Sequence, residues 1–204
     1  MNDSNINMSG EDHGTPKTVF IDRDGVINRD SPDYIKTRAE FHFLPGSLEA
    51  FRLLSEHRYT AIVITNQSVI GRNLTTPEEL QLIFEMMKQD IVKAGGLVTD
   101  ILFCPHTPSD HCQCRKPQPG MIFDAREKYS IDLATSVMIG DSVKDILCAE
   151  NAGVGRAVLV KTGNGLKAHA ELSARGISPD YLAEDLLDAV RWIISNDGIY
   201  DREH

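Results

Sequence analysis

The chain has 204 residues and a formal net charge of −9, with 41% hydrophobic and 25% charged residues, ordinary values for one soluble domain with a sizeable core. The acidic balance excludes a general nucleic-acid binder, which needs a basic face. No apolar run approaches the roughly 20 residues of a membrane span.

Residues 1–16 lack the basic and apolar regions of a secretion signal and read as a polar, disordered leader. The default compartment is therefore the cytoplasm. From Lys17, short β-branched runs alternate with amphipathic stretches. The first expected strand is Thr18–Ile21, followed by a helix over Gly46–His57 with Leu48, Phe51 and Leu54 on one face. A second strand, Ala61–Thr65, precedes Thr76-Pro77-Glu78-Glu79, a capping box with proline at the first helical position. Leu80, Ile83, Phe84, Met87 and Ile91 continue that helix as a core stripe. Strands over Ile101–Phe103, Val137–Ile139 and Ala157–Val160 are interleaved with helices over Gly120–Tyr129, Val143–Ala152 and Ala183–Ile194. Continuous apolar runs suit buried parallel strands, so the pattern predicts a doubly wound α/β fold with a mainly parallel sheet. Its ligands belong at the carboxyl ends of the strands. One domain over 17–198, a tail from 199 to 204 and a monomer are expected.

Chemistry gathers at those strand ends. The first runs into Asp22-Arg23-Asp24-Gly25, two carboxylates two residues apart. The second ends in Thr65-Asn66-Gln67-Ser68, the third leads through a loop to Arg115-Lys116-Pro117, and the fourth ends in Gly140-Asp141-Ser142-Val143-Lys144-Asp145. In this order, each after a strand, the four segments resemble the motifs of haloacid dehalogenase-type phosphatases, over roughly Lys17 to Gly163. The resemblance implies that Asp22 is a nucleophile forming an aspartyl phosphate and that Asp24 is the general acid and base. It implies a catalytic Mg²⁺ held by Asp22, the Asp24 backbone carbonyl and Asp141, with Asp145 bracing the site. Lys116, Thr65, Asn66, Gln67 and Ser68 would meet the phosphoryl group. Ser68 and Ser142 are read as orienting groups rather than nucleophiles.

Cys104-Pro105-His106 and Cys112-Gln113-Cys114 bracket a short polar loop, 104–114. Three sulfurs and an imidazole at this spacing suit a closed, structural Zn²⁺ set of Cys104, His106, Cys112 and Cys114, with His111 as a competitor for His106. Cys148 lies in a helix as a small buried residue. This loop and the Arg115-Lys116-Pro117 run narrow the resemblance to heptose bisphosphate phosphatases and histidinol-phosphatases. The Tyr34-Ile35-Lys36, Glu40–Gly46 and Arg115–Met121 stretches look more like the former, whereas Asn73 departs from that pattern at Ile70-Gly71-Arg72-Asn73.

The gaps between motifs leave no room for a cap domain. The pocket walls must then be Asn28–Thr37, Gln67–Leu74 and the zinc loop. A small phosphorylated sugar is the expected partner. Arg115 would hold its remote phosphate, and Asp30 and Ser31 its hydroxyls. Lys36, Arg38 and Arg72 suit a solvated surface as well as substrate contact.

Overall fold

A computed structural model describes residues 17–200, so the leader at 1–16 and residues 201–204 of the tail lie outside the described residues. Six strands, β1 (Thr18–Ile21), β2 (Thr60–Asn66), β3 (Asp100–Cys104), β4 (Val137–Gly140), β5 (Arg156–Val160) and β6 (Tyr181–Ala183), form one sheet in the order β3-β2-β1-β4-β5-β6. Every pairing is parallel. The order reverses direction at β1, and the carboxyl ends of β1 and β4 frame the crevice where such sheets bind ligands.

Because successive strand residues face opposite ways, β1 serves both faces. Val19 and Ile21 join Ala61, Val63, Val137 and Ile139 in a core with α1 (Ser47–Glu56), α3 (Pro77–Lys93) and α7 (Leu186–Tyr200). Phe20 turns the other way, joining Ile62, Ile64 and Met138 against α4 (Gly120–Tyr129) and α5 (Val143–Ala152). Each such residue is fully or almost fully buried, a gain of roughly 1.5–3 kcal/mol per large aliphatic or aromatic side chain relative to exposure. The stripe expected on α3 is buried as read: Leu80, Ile83, Phe84, Met87 and Ile91.

The differences lie at short or weakly apolar segments. The Thr76 hydroxyl accepts the Glu79 N–H at 3.2 Å, half of the expected capping box, while the Glu79 carboxylate turns toward Arg38 at 4.0 Å. Ser68–Gly71, expected as part of a pocket loop, is a single helical turn, α2. Ala183 does not start a helix. It ends β6, whose pairing with β5 outcompetes the helical pattern before α7 begins at Leu186. Helix α6 (Gly165–Ala174) has no counterpart among the expected elements: it buries only Gly165, Ala168 and Leu172. Helix α7 continues to Tyr200, through the first two residues of the expected tail.

At the amino ends of the strands, Asp197 of α7 is buried and accepts hydrogen bonds from Tyr59 and Arg156, with Lys17 at 3.5 Å. Arg156 also lies over the Trp192 ring, which stacks on Tyr181 at 5.0 Å. None of the described helices is long and apolar enough to cross a membrane.

Candidate active site

The carboxyl ends of β1 to β5 each contribute one part of a cleft of about 430 Å³. Asp22 follows β1 directly, its N–H bonded to the Ile139 carbonyl of β4, so its side chain leaves the sheet at the crevice. Lys116 reaches it from the segment after β3. The buried ammonium lies 2.7 Å from Asp22 and 2.6 Å from Asp145, and donates to the Ile64 carbonyl at 2.9 Å. Burial works against the charge of Lys116, but Asp145 and Asp22 together hold its pKa above the ordinary lysine value. Asp145 also closes a full capping box with Ser142 at the start of α5, accepting the Ser142 N–H at 3.0 Å and its hydroxyl at 2.6 Å. One residue thereby fixes both the α5 terminus and the Lys116 head group.

Asp141, at the end of β4, completes a group of three buried carboxylates with Asp22 and Asp145 whose oxygens lie within 4.8 Å of one another. Burial raises the pKa of Asp22, and the charges of Asp145 and Asp141 add to that against the pull of Lys116. Asp141 is pushed up to about 7 by burial and by Asp145. The space around it is shaped by backbone. A Cβ on Gly25 (φ +82°) or on Gly163 (φ +58°) would overlap Asp141 Oδ2, so both positions require glycine for room as well as for conformation.

Asp24 faces the same cleft with its carboxylate held by neighbours. Arg23 donates from Nε (3.1 Å) and Nη2 (2.7 and 2.8 Å), Asn28 from Nδ2 (2.9 Å) and Gln67 from Nε2 (2.8 Å). Burial would raise the pKa of this carboxyl, but the Arg23 charge and these hydrogen bonds hold it below the usual range.

The structure therefore brings Asp22, Asp24, Thr65, Lys116, Asp141 and Asp145 together, with Asp30, Ser31, Ser68, Arg72 and Arg115 on the walls. Asn66 also lines the cleft, and the side chains of Asn66 and Gln67 each have protein partners there. The Asn66 carboxamide is spent on the Lys116 backbone, at 3.0 and 3.1 Å. Gln67 bonds Asp24 and Thr65 Oγ1, both at 2.8 Å. Lys36 and Arg38 turn to Glu40 and Glu79, whereas Arg72 stays on the cleft with its guanidinium over the Tyr34 ring at 5.9 Å.

The sequence reading missed Arg23, Asn28 and Asn164. Asn164 donates to Asp141 Oδ2 through its backbone N–H (2.8 Å) and its side chain (3.3 Å), and reaches Asp30 at 3.1 Å. Its signal was available: Thr162-Gly163-Asn164-Gly165 follows the fifth strand at the carboxyl edge, where ligands collect.

Cys104, His106, Cys112 and Cys114 converge, with Sγ and Nδ1 atoms 3.2–3.6 Å apart. A tetrahedral zinc with bonds near 2.0–2.3 Å has donor edges of roughly 3.5–3.8 Å, so the set fits the ion. All four cysteines of the chain are free thiols. His111, in a left-handed conformation (φ 46°), stands outside the group. The loop is tied to α2 and its flank. Gln67 N–H bonds the Cys104 carbonyl at 2.7 Å, Gly71 N–H bonds Pro105 at 3.0 Å, and Arg115 donates to the His106 carbonyl at 3.0 Å.

A family model described as HAD-hydrolase-like matches residues 113–189. The chain is 42% identical over 155 residues to a D-glycero-beta-D-manno-heptose-1,7-bisphosphate 7-phosphatase of Bordetella bronchiseptica, covering 76% of this chain and 86% of the relative. The chain belongs to the heptose-1,7-bisphosphate 7-phosphatase family of HAD-like hydrolases. As a member it is a phosphatase, a phosphoric monoester hydrolase. Another member of the heptose bisphosphatase family, the alpha-anomer 7-phosphatase of Photorhabdus laumondii, is 38% identical over 159 residues, 74% of this chain and 86% of that one. The crystal structure of the B. bronchiseptica D,D-heptose 1,7-bisphosphate phosphatase, complexed with magnesium and phosphate, superposes with a TM-score of 0.83 at 38% identity. It covers 88% of this chain and 99% of the other.

Proposed function

We propose that the chain hydrolyses the C7 phosphate of D-glycero-D-manno-heptose 1,7-bisphosphate, leaving the 1-phosphate. Its setting is cytoplasmic synthesis of nucleotide-activated heptose for lipopolysaccharide core or another surface glycan. The observation that carries the chemistry is Asp22 and Asp141 crowded with Asp145 around one buried cation, Lys116, at the switch point of the sheet.

The three-carboxylate cluster suits a hard divalent cation. All its donors are oxygens, and burial together with the Asp145 charge raises the pKa of both Asp22 and Asp141. Asp22, Asp141 and the Asp24 backbone carbonyl would hold Mg²⁺, with Asp145 bracing. Bound there, the ion would offset repulsion between an anionic carboxylate and a phosphate dianion, roughly 4 kcal/mol at 4 Å with an effective dielectric near 20.

The chain's own residues then act in order. An Asp22 oxygen attacks phosphorus, forming the aspartyl phosphate as the bond to the sugar C7 oxygen breaks. The Asp24 carboxyl gives its proton to that departing oxygen. Lys116 and Thr65 steady the phosphoryl oxygens. Asp24 next takes a proton from water as the water oxygen attacks phosphorus, releasing inorganic phosphate and restoring the Asp22 carboxylate. The Cys104–Cys114 loop would carry a structural zinc that sets where Arg115 and Lys116 point.

The cleft walls favour a substrate anionic at both ends. Arg72, Arg115 and Lys144 border the cleft and form no ion pair among the described residues. The far end of histidinol phosphate carries an ammonium, which such a wall repels. Comparing kcat/KM for both anomers of the heptose bisphosphate with histidinol phosphate tests the reading. Preference for histidinol phosphate would overturn the substrate and leave the chemistry.

A further inference from the structure

The carboxylate of Asp24 has no acceptor capacity to spare. An ionised carboxylate offers about four lone-pair sites. Oδ1 accepts from Arg23 Nε, Arg23 Nη2 and Asn28 Nδ2, and Oδ2 accepts from Arg23 Nη2 and Gln67 Nε2. For Asp24 to meet the departing oxygen of a substrate, one of these donors must withdraw.

Two of the three residues are fixed. Arg23 is 1% exposed, lies under the Phe84 ring at 5.7 Å, and has an Nη1 already without a partner. Drawing it off Asp24 would strand a buried charge. Asn28 is fully buried and serves Oδ1, which Arg23 Nε and Nη2 would still occupy if Asn28 withdrew. Gln67 differs in two respects. It holds Oδ2, which has two donor contacts against three on Oδ1, and its Nε2 keeps Thr65 Oγ1 at 2.8 Å as a partner when it leaves Asp24. It also lies directly before α2, between Asn66 and Ser68, which both line the pocket.

We propose that Gln67 is a positioning residue for the reaction: its carboxamide aims Asp24 Oδ2 and yields that oxygen to the leaving oxygen of the substrate. The proposal rests on the reading of Asp24 as general acid and names the residue that governs access to it. Asn28 and Arg23 then keep the carboxylate in place through Oδ1 while Oδ2 is exchanged.

The test compares a poor and a good leaving group. The sugar phosphate ester needs a proton on its departing oxygen, whereas 4-nitrophenyl phosphate releases a stable anion. Gln67→Leu should lower kcat for the heptose bisphosphate about tenfold more than kcat for 4-nitrophenyl phosphate, a fraction of the 10²–10⁴ that general acid catalysis supplies. KM for each should move little, and Gln67→Asn, which keeps a shorter donor, should recover part of the difference. Equal losses on both substrates, or no loss on either, overturn the proposal. If Gln67→Leu does not fold, Gln67→Met removes the donor with a flexible side chain of similar length. Asp24→Asn in the same assay separates the two ideas. If it shows no bias between the esters, the acid reading and this proposal fail together. If Asp24→Asn shows the bias and Gln67→Leu does not, only this proposal fails.

Discussion

The Asn66 side chain clamps the Lys116 backbone from both sides, Oδ1 accepting the N–H at 3.0 Å and Nδ2 donating to the carbonyl at 3.1 Å. The pair spans fifty residues of sequence and joins the end of β2 to the segment that follows the cysteine loop. Asn66→Ala should release that segment while leaving the sheet intact. The expected cost is a drop of about ten- to a hundredfold in kcat/KM, as for two hydrogen bonds of about 1 kcal/mol each. Steady-state kinetics beside a far-ultraviolet spectrum checks it, and unchanged kinetics would show that Lys116 keeps its place unaided.

Asp22→Asn should abolish turnover while the fold survives, because an amide is a poor nucleophile and Lys116 keeps Asp145 as its counter-charge. Near-normal activity in this variant would sink the aspartyl-phosphate route.

Stability without divalent metal should fall as pH rises from about 5 to about 8. Asp141 titrates near 7 in the fold against 3.8 for an ordinary aspartate, and Asp22 is raised too. The folded chain therefore binds more protons than the unfolded chain in that window, and raising pH favours unfolding. Added Mg²⁺ should recover more of the melting temperature at pH 8 than at pH 5. Thermal melts in EDTA and in Mg²⁺ decide this, and a metal-free Tm that climbs across the window contradicts the carboxylate crowding.

About one zinc per chain should accompany the purified protein, as for a single structural site. Cys112→Ser should reduce zinc content and activity together, since the loop carries Arg115 and anchors Gln67 and Gly71 through Cys104 and Pro105. Elemental analysis that found fully active protein without zinc would remove the claim.

Arg115→Ala should hurt the heptose bisphosphate much more than a small phosphate ester, because a small ester has no second anionic end. The comparison is of kcat/KM ratios, and equal losses would place Arg115 in support of the loop alone.

Much of this was legible because buried parallel strands are written as unbroken apolar runs. β1 and α5 have the boundaries expected of them. β6 was not legible, since three residues, Tyr181-Leu182-Ala183, of which only Ala183 is fully buried, make too short a run to show periodicity. α6 hides for a related reason: Leu166, its most conspicuous apolar residue, is 65% exposed, and its buried face is mostly glycine and alanine. At the site, the residue types were readable but the partners were not. Nothing local to Asn66 or Gln67 says that one side chain is spent on a backbone fifty residues away and the other on Asp24. The departure at Asn73 does have a local explanation: its φ is 55°, the left-handed region that asparagine tolerates best after glycine.

The clasp of Asp197 with Tyr59 and Arg156 lies at the amino ends of the strands, whereas the reacting groups lie at the carboxyl ends. The molecule therefore has one pole that can be engineered with little regard for chemistry. Tethering to a support, or tightening the packing of Trp192 on Tyr181, would draw on surfaces that a substrate does not visit. Helix α7 brings Asp197 to this pole, so its last described turns pack at the end of the sheet opposite the diffusing sugar phosphates.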